Sequence, residues 1–320
     1  MPAIIEKVKK SGVELYLNLF AHRPETDNQE WDVSPDELRS VAVRWPSQYQ
    51  WDAASDWVDV LLYGLRSHVP VEMVDNIPQK YRGTVVFEMI IGGRTRRIAI
   101  GYSDFMTIEE DCAEEFDLYF KMQFAKRGYG FANVIPGGYV PDGKRLYQHL
   151  GNLRKLRQSG NFKFDVYGRF GLAYARETRE KAVQLLSDQE HFAFEGGMKT
   201  VLYLEFLQEV ARSKVCIDMP GLGDFCFRLI NYLAIGSCVV AYPHRTMLNM
   251  PLVDRKHIVY CREDMSDLVD LCEHYLFHDA ERERIARNAR EFFDLYLHKD
   301  NLVKYYLRNC LDRLKENVGG

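Results

Sequence analysis

The sequence predicts an α/β fold, and three observations predict it. From about residue 164, short β-rich runs alternate with helical runs, the pattern of a parallel sheet covered by helices. Within that alternation, PGLGDFCFRLINYLAIGSCVVAYPH (220–244) reads as loop, helix and strand, with Gly236 placed as a C-cap glycine. A chain of 320 residues, 47% of them hydrophobic, is long enough for a sizeable core and for two domains.

The first domain is expected over residues 1–140. VELYLNLF and VPVEMV read as strands, SDWVDVLLYGLRS as a helix, VVFEMIIGGRTRRIAIGYSD as a hairpin turning at Gly92 and Gly93, and FDLYFKMQF as a buried strand. The Gly- and Pro-rich passage NVIPGGYVPDG marks the boundary. A connecting segment over 141–163 follows; from 143 to 164 the chain has no acidic residue and six basic ones, Lys144, Arg145, Arg154, Lys155, Arg157 and Lys163. A basic surface helix is the plainer reading of it, and a polyanion-binding element the sharper one.

Residues 164–320 form the second, Rossmann-like domain. Its strands are FDVYG, HFAFE, KVCID, CVVAY and HIVYC, separated by the helical runs ARETREKAVQLLS, KTVLYLEFLQEVARS, DFCFRLINYLAI and SDLVDLCEHYLF. Two amphipathic helices, DAERERIARNAREFFDLYL and KDNLVKYYLRNCLDRL, close the chain and pack on this domain or cross back to the first. Ligands of such sheets sit beyond the carboxyl ends of the strands.

A net charge of −4 gives no global attraction to nucleic acid or to an anionic membrane. The N-terminal run carries lysines among its apolar residues and lacks the order of a signal peptide, and no stretch is long enough to span a membrane, so a cytoplasmic protein without membrane insertion is expected. Seven cysteines, none in a C-x-x-C pair, sit mostly in apolar runs and read as buried free thiols.

Arg228 poses the chemical question. It stands early in a helix expected to start at Asp224, where exposed backbone N–H groups already make the end electropositive. A cation there needs an anion beside it, and a phosphate between amides and guanidinium would serve. Gly221 and Gly223 permit close backbone approach, and Asp224 reads as the N-cap. In YGRFG, Arg169 follows the first strand of the same sheet and so projects from the same edge. Two arginines at one edge suit a diphosphate; pairing with Asp224, Asp218 or Glu195 accounts for them equally well. Lys121, inside an apolar strand, requires either a phosphate or a buried carboxylate.

The ordered set YGRFG with ARETREKAVQLLS, VCIDMPGLGDFCFRLINYLAIGSCVVAY, and EDMSDLVDLCEHYLFHDAERERIARNAREFFDLYL with KYYLRNCL resembles the donor-binding half of GT-B glycosyltransferases over residues 164–312. Within that class it is most similar to the capsule-associated and protein O-glucosyltransferase-like enzymes, with exostosins next. The resemblance implies two Rossmann-like domains facing a cleft, Arg169 and Arg228 on the donor diphosphate, and the loop 194–197, with Glu195 and Gly196, near the nucleobase. Asn231 stands where many retaining relatives place a glutamate that holds the donor. His244 stands where relatives often offer a cation. No D-x-D occurs in the chain, so no metal is expected and the arginines and helix amides would stabilise the leaving group. The base for an inverting reaction would come from the first domain: Asp104 is the choice, with His22 and Glu109 behind it. A Ser-Asp turn capping the next helix explains Asp104 as readily.

The expected function is transfer of a sugar from a nucleotide-diphosphate sugar, UDP-linked by preference, to a hydroxyl acceptor, with no other cofactor. Replacing Arg228 by Ala is then expected to cut turnover and leave the fold intact. Rivals are a glycosyltransferase for modified DNA bases, suggested by 144–163 and by the RTRR run at 94–97, and a non-catalytic nucleotide-sugar binder. An NAD enzyme is disfavoured because no G-x-G-x-x-G follows a strand.

Overall fold

Alternating burial builds the first sheet. The structure, a computed structural model, describes residues 23–140, 143–171 and 173–315; the VELYLNLF strand and His22 lie outside the described residues. The chain runs through α1 (Pro35–Leu38), β1 (Val41–Pro46), α2 (Ser55–Arg66), β2 (Val71–Val74), β3 (Thr84–Ile91), β4 (Arg94–Gly101), α3 (Glu110–Glu115), β5 (Leu118–Lys121), β6 (Phe124–Ala125) and β7 (Val134–Pro136). Strand order is β2-β1-β3-β4-β5-β7. On β3, Val85, Phe87, Met89 and Ile91 face the central core while Val86 faces a smaller cluster with Ala99, Tyr119 and Val134, the period of two that a strand imposes. The hairpin β3–β4 is antiparallel and turns at Gly92 and Gly93, both at positive φ, as their positions in the sequence predict.

The second half continues with α4 (Gly143–Gln158), β8 (Phe164–Arg169), α5 (Arg176–Asp188), β9 (Phe194–Gly197), α6 (Tyr203–Ala211), β10 (Ser213–Asp218), α7 (Phe227–Ile235), β11 (Cys238–Ala241), β12 (Thr246–Met247), β13 (Val259–Tyr260), α8 (Leu268–Phe277), α9 (Asp279–Phe292) and α10 (Lys299–Lys315). Its five-stranded sheet has the order β13-β11-β10-β8-β9, and every pairing in it is parallel. That is a doubly wound sheet whose chain reverses direction between β8 and β10. Helix α7 ends at Gly236 in the left-handed region, with the Gly236 and Ser237 N–H groups both donating to Tyr232. The expected pair of α/β units, GT-B-like in layout, is present; the first sheet is mixed, since β1 runs antiparallel to β3 and β3 to β4.

The halves share one core. Val43, Phe87 and Phe120 of the first sheet, Cys216 and Val239 of the second, and the buried faces of α7 and α10 belong to a single apolar cluster. Helix α10 crosses back to the first half: Tyr306 stacks on Phe120 at 3.9 Å, and the Tyr306 hydroxyl donates to the Gly137 carbonyl. A second join is made by backbone, because β6 of the first half pairs antiparallel with β12 of the second. Beside it the buried Gln123 amide clamps Phe225, donating to its carbonyl at 2.8 Å and accepting from its N–H at 3.2 Å.

The basic segment of α4 is structural. Arg154 makes a two-pronged pair with the buried Asp294, at 2.8 and 2.9 Å, and donates to the Ala234 carbonyl that ends α7. The buried Arg157 donates to the Ser213 carbonyl. In the RTRR run, Arg96 pairs with Asp117 and Arg97 with Glu115. Four arginines of the two basic stretches that suggested nucleic acid therefore have anionic or carbonyl partners within the fold.

Candidate functional site

The crevice of a doubly wound sheet opens where the chain reverses, at the carboxyl ends of β8 and β10. Arg228, in the first turn of α7, lies over that point. Its Nε donates to Asp218 Oδ1 at 2.9 Å, its Nη1 to the Arg169 carbonyl at 3.3 Å and its Nη2 to the Met219 carbonyl, while the guanidinium sits 4.8 Å from the Phe170 ring. One side chain thus ties the end of β8 to the end of β10. Burial works against the Arg228 charge and Asp218 outweighs it, so its pKa rises.

Arg169 pairs with carboxylates of α6 and β9. Its Nε and Nη2 reach the two Glu209 oxygens at 2.7 and 2.8 Å, and Nη2 also reaches Glu195 at 3.0 Å. Burial pushes the Glu209 carboxyl up, and its hydrogen bonds from Arg169 and Tyr167 more than reverse this. Both arginines therefore have carboxylate partners inside the fold, which corrects the expectation that their guanidinium groups stand open for a diphosphate. The buried Asp218 and the half-buried Glu209 supply the charge that the sequence demanded.

An open crevice lies next to them. It has a volume of about 360 Å³ and is walled by the loop from Pro220 to Asp224 after β10, by Tyr242, Pro243 and Arg245 after β11, by Glu263 after β13, and by Ala175 and Thr178 at the start of α5. Helix α5 begins with Ala175 in the left-handed region and has no side-chain cap, so its first N–H groups present positive potential toward this crevice. Arg179 on α5 braces the wall, donating to the carbonyls of Gly171 and Pro220. A side chain at Gly221 would come within 3.0 Å of Cys226 Sγ and 3.2 Å of Arg179 Nη2.

Residues 150–307 match the family model described as "Glycosyl transferase-like". The matched segment is thus similar to glycosyl transferase-like domains. Among solved structures, a glycosyltransferase from Rickettsia africae ESF-5 is similar, at 11% identity and a TM-score of 0.44, over 69% of this chain and 71% of that one. No curated protein sequence matches.

Of the predicted residues within the matched segment, Gly221, Gly223 and Asp224 line the crevice. Asp224 does not cap α7, whose N-cap is Cys226. Its buried carboxylate instead accepts from the N–H groups of Arg245 and Thr246 and from the Arg245 guanidinium, holding the loop after β11 against the loop after β10. Asn231 is buried in α7 and accepts from the Tyr203 hydroxyl, facing α6 and not the crevice. Gly196 answers a packing need: a side chain there would lie 2.1 Å from the Gly168 carbonyl oxygen of β8. Glu195 and Gly196 lie on the edge strand and do not line the crevice. His244 is buried, with Nδ1 against the Tyr260 hydroxyl and Nε2 at 3.9 Å from Asp218 Oδ2. Arg245 also lines the crevice and was not among the predicted residues, although it stands three residues past Tyr242 at the carboxyl end of a predicted strand.

Asp104 sits where the first half meets the matched segment. Its carbonyl oxygen would be 2.4 Å from a side chain at Gly223, and its carboxylate accepts from the buried Tyr139 hydroxyl at 3.4 Å. Burial raises its pKa. It caps no helix, since α3 starts after Glu109. The fully buried Lys121 donates to the Ser103 carbonyl at 2.9 Å, and desolvation lowers its pKa to about 8 against the pull of Asp104. Lys121 thus meets a carbonyl and a nearby carboxylate.

Proposed function

We propose that the chain transfers a sugar from a nucleotide-diphosphate sugar, UDP-linked by preference, to a hydroxyl acceptor. The observation that carries this reading is the crevice at the carboxyl ends of β10 and β11, inside the matched segment, where the uncapped start of α5, the 221–223 loop and Arg245 converge. Amides and a guanidinium converging on one space suit a diphosphate leaving group, whose growing charge they stabilise without a metal. Arg245 takes the role first given to Arg169 and Arg228, because its guanidinium is largely exposed, with a side-chain exposure of 71%. Arg228 and Arg169 position the strand ends. Asp104, with its carboxyl biased toward holding a proton, is the proposed base, at the seam where the first half touches Gly223.

Charge disfavours the nucleic-acid rival, since Arg96, Arg97, Arg154 and Arg157 already have partners. Among the described residues no helix is long and apolar enough to cross a membrane. The seven cysteines are free, which agrees with a reducing, cytoplasmic setting as the proposed location. Thermal melting with UDP, UDP-glucose and UDP-N-acetylglucosamine tests the donor site: a ligand that binds only the native state raises the melting temperature. Absence of any shift would remove the donor reading. Slow hydrolysis of the stabilising donor, persisting in EDTA, separates a metal-independent transferase from a pure binder.

A further inference from the structure

A second, larger cavity lies in the first half. It measures about 800 Å³, and its walls include Trp51, Arg82, Tyr102, Phe105, Thr107 and Glu109. That volume falls in the range of about 300–1,000 Å³ usual for small-ligand sites. Two features set it apart. Trp51 and Phe105 are each 55% exposed although both are large aromatics at the same opening. Trp51 is also backed by a stack: it lies 6.2 Å from Tyr102 at an interplanar angle of 22°, Tyr102 lies 6.4 Å from Trp57, and Trp57 lies 4.3 Å from Phe227 at the start of α7. The platform is braced from behind by the matched segment.

The cavity and the donor crevice share a wall. Ser103 and Phe105 line the cavity, and the carbonyl of Asp104 between them abuts Gly223, which lines the crevice. The segment from 103 to 105 therefore separates two open spaces, as acceptor and donor must be separated before transfer. Glycine at 83 is required for that wall, because a side chain there would come within 2.7 Å of Ser103 Cβ and the backbone has φ +71°.

Resting on the transferase reading, we propose that the acceptor is a neutral saccharide whose apolar face stacks on Trp51 and Phe105 in this cavity. The C–H face of a pyranose carries slight positive charge and fits the electron-rich face of an aromatic ring, while its hydroxyls need a polar rim. Arg82, Thr107 and Glu109 provide that rim. Among the described residues, Arg82 and Glu109 are the charged ones on the wall, and their opposite charges give a polyanion no net attraction there.

Calorimetric titration of the whole chain with maltose, cellobiose and lactose, and in parallel with oligothymidylate, tests the assignment. At least one disaccharide should bind; Trp51→Ala should weaken it by about tenfold or more, and Trp51→Phe should restore most of the affinity. Trp51 is exposed, so both variants fold. No binding by any disaccharide, equal binding to Trp51→Ala, or binding of oligothymidylate at Trp51 in their place would each overturn the proposal. UDP melting of the wild type, read separately, shows whether the donor site stands or falls by itself.

Discussion

Asp218 holds Arg228 by a 2.9 Å bond at the point where the parallel sheet reverses, with the Asp218 side chain 1% and the Arg228 side chain 10% exposed. A buried carboxylate here takes the place that a phosphate was expected to fill. Asp218 Oδ2 has no hydrogen-bond partner, so the pair depends on the Oδ1 contact.

Arg228→Ala should therefore destabilise the fold as well as lower turnover. Removing one partner of a buried pair costs about 3–5 kcal/mol, because the other charge stays buried alone. Urea denaturation should show the loss in the midpoint. A variant with wild-type stability would show that the pair does not hold the strand ends.

Arg245→Ala should leave the urea midpoint close to wild type and weaken UDP binding by about tenfold, the loss of one exposed charge-assisted contact. Affinity of the wild type should also fall with salt. Unchanged UDP affinity in the variant would move the diphosphate away from Arg245.

Gly223→Ala should loosen the seam between the halves. Its new methyl would meet the Asp104 carbonyl at 2.4 Å and the Gln123 amide at 2.6 Å, and overpacking of this kind costs about 1–3 kcal/mol. Gly130→Ala, with nothing within 4 Å of the added carbon, is the matched control. Equal stability of the two variants would contradict the contact.

Lys121 makes stability depend on alkaline pH. Its pKa is lowered from 10.5 to about 8 in the folded chain, so between those values the unfolded chain binds more protons. Stability gains from this group as pH rises through that window, and its burial penalty is fully present below it. Wild type compared with Lys121→Met should show the variant's advantage at pH 7 shrinking toward pH 10; parallel pH curves would refute the shift.

Much of the second half was legible because its signals are local. KVCID and CVVAY became β10 and β11 with ends shifted by a residue, and Gly236 capped α7 where the pattern put it. HFAFE starts three residues before the observed strand and stops two residues short of its end, since Gly196 and Gly197 enter the strand only through their pairing with Gly168 and Arg169. Strand β1 was not anticipated at all: its VAVRWP run is short, and its membership depends on β2 and β3 pairing on either side. Asp224 was misassigned as a cap because a carboxylate before a helix looks the same whether it turns to its own helix or to the loop after β11.

What the sequence determined by itself is the alternation of strands and helices in the second half, the glycine-bearing connection after β10, and the need for an anion beside Arg228. Those follow from neighbours along the chain. Only tertiary structure decided which anion answers Arg228, that Arg169 turns to Glu209, that Arg245 borders the crevice, and that β6 joins β12 across the two halves. Each of these is a contact between distant residues, and a guanidinium satisfies its charge with whichever carboxylate the packing brings within reach.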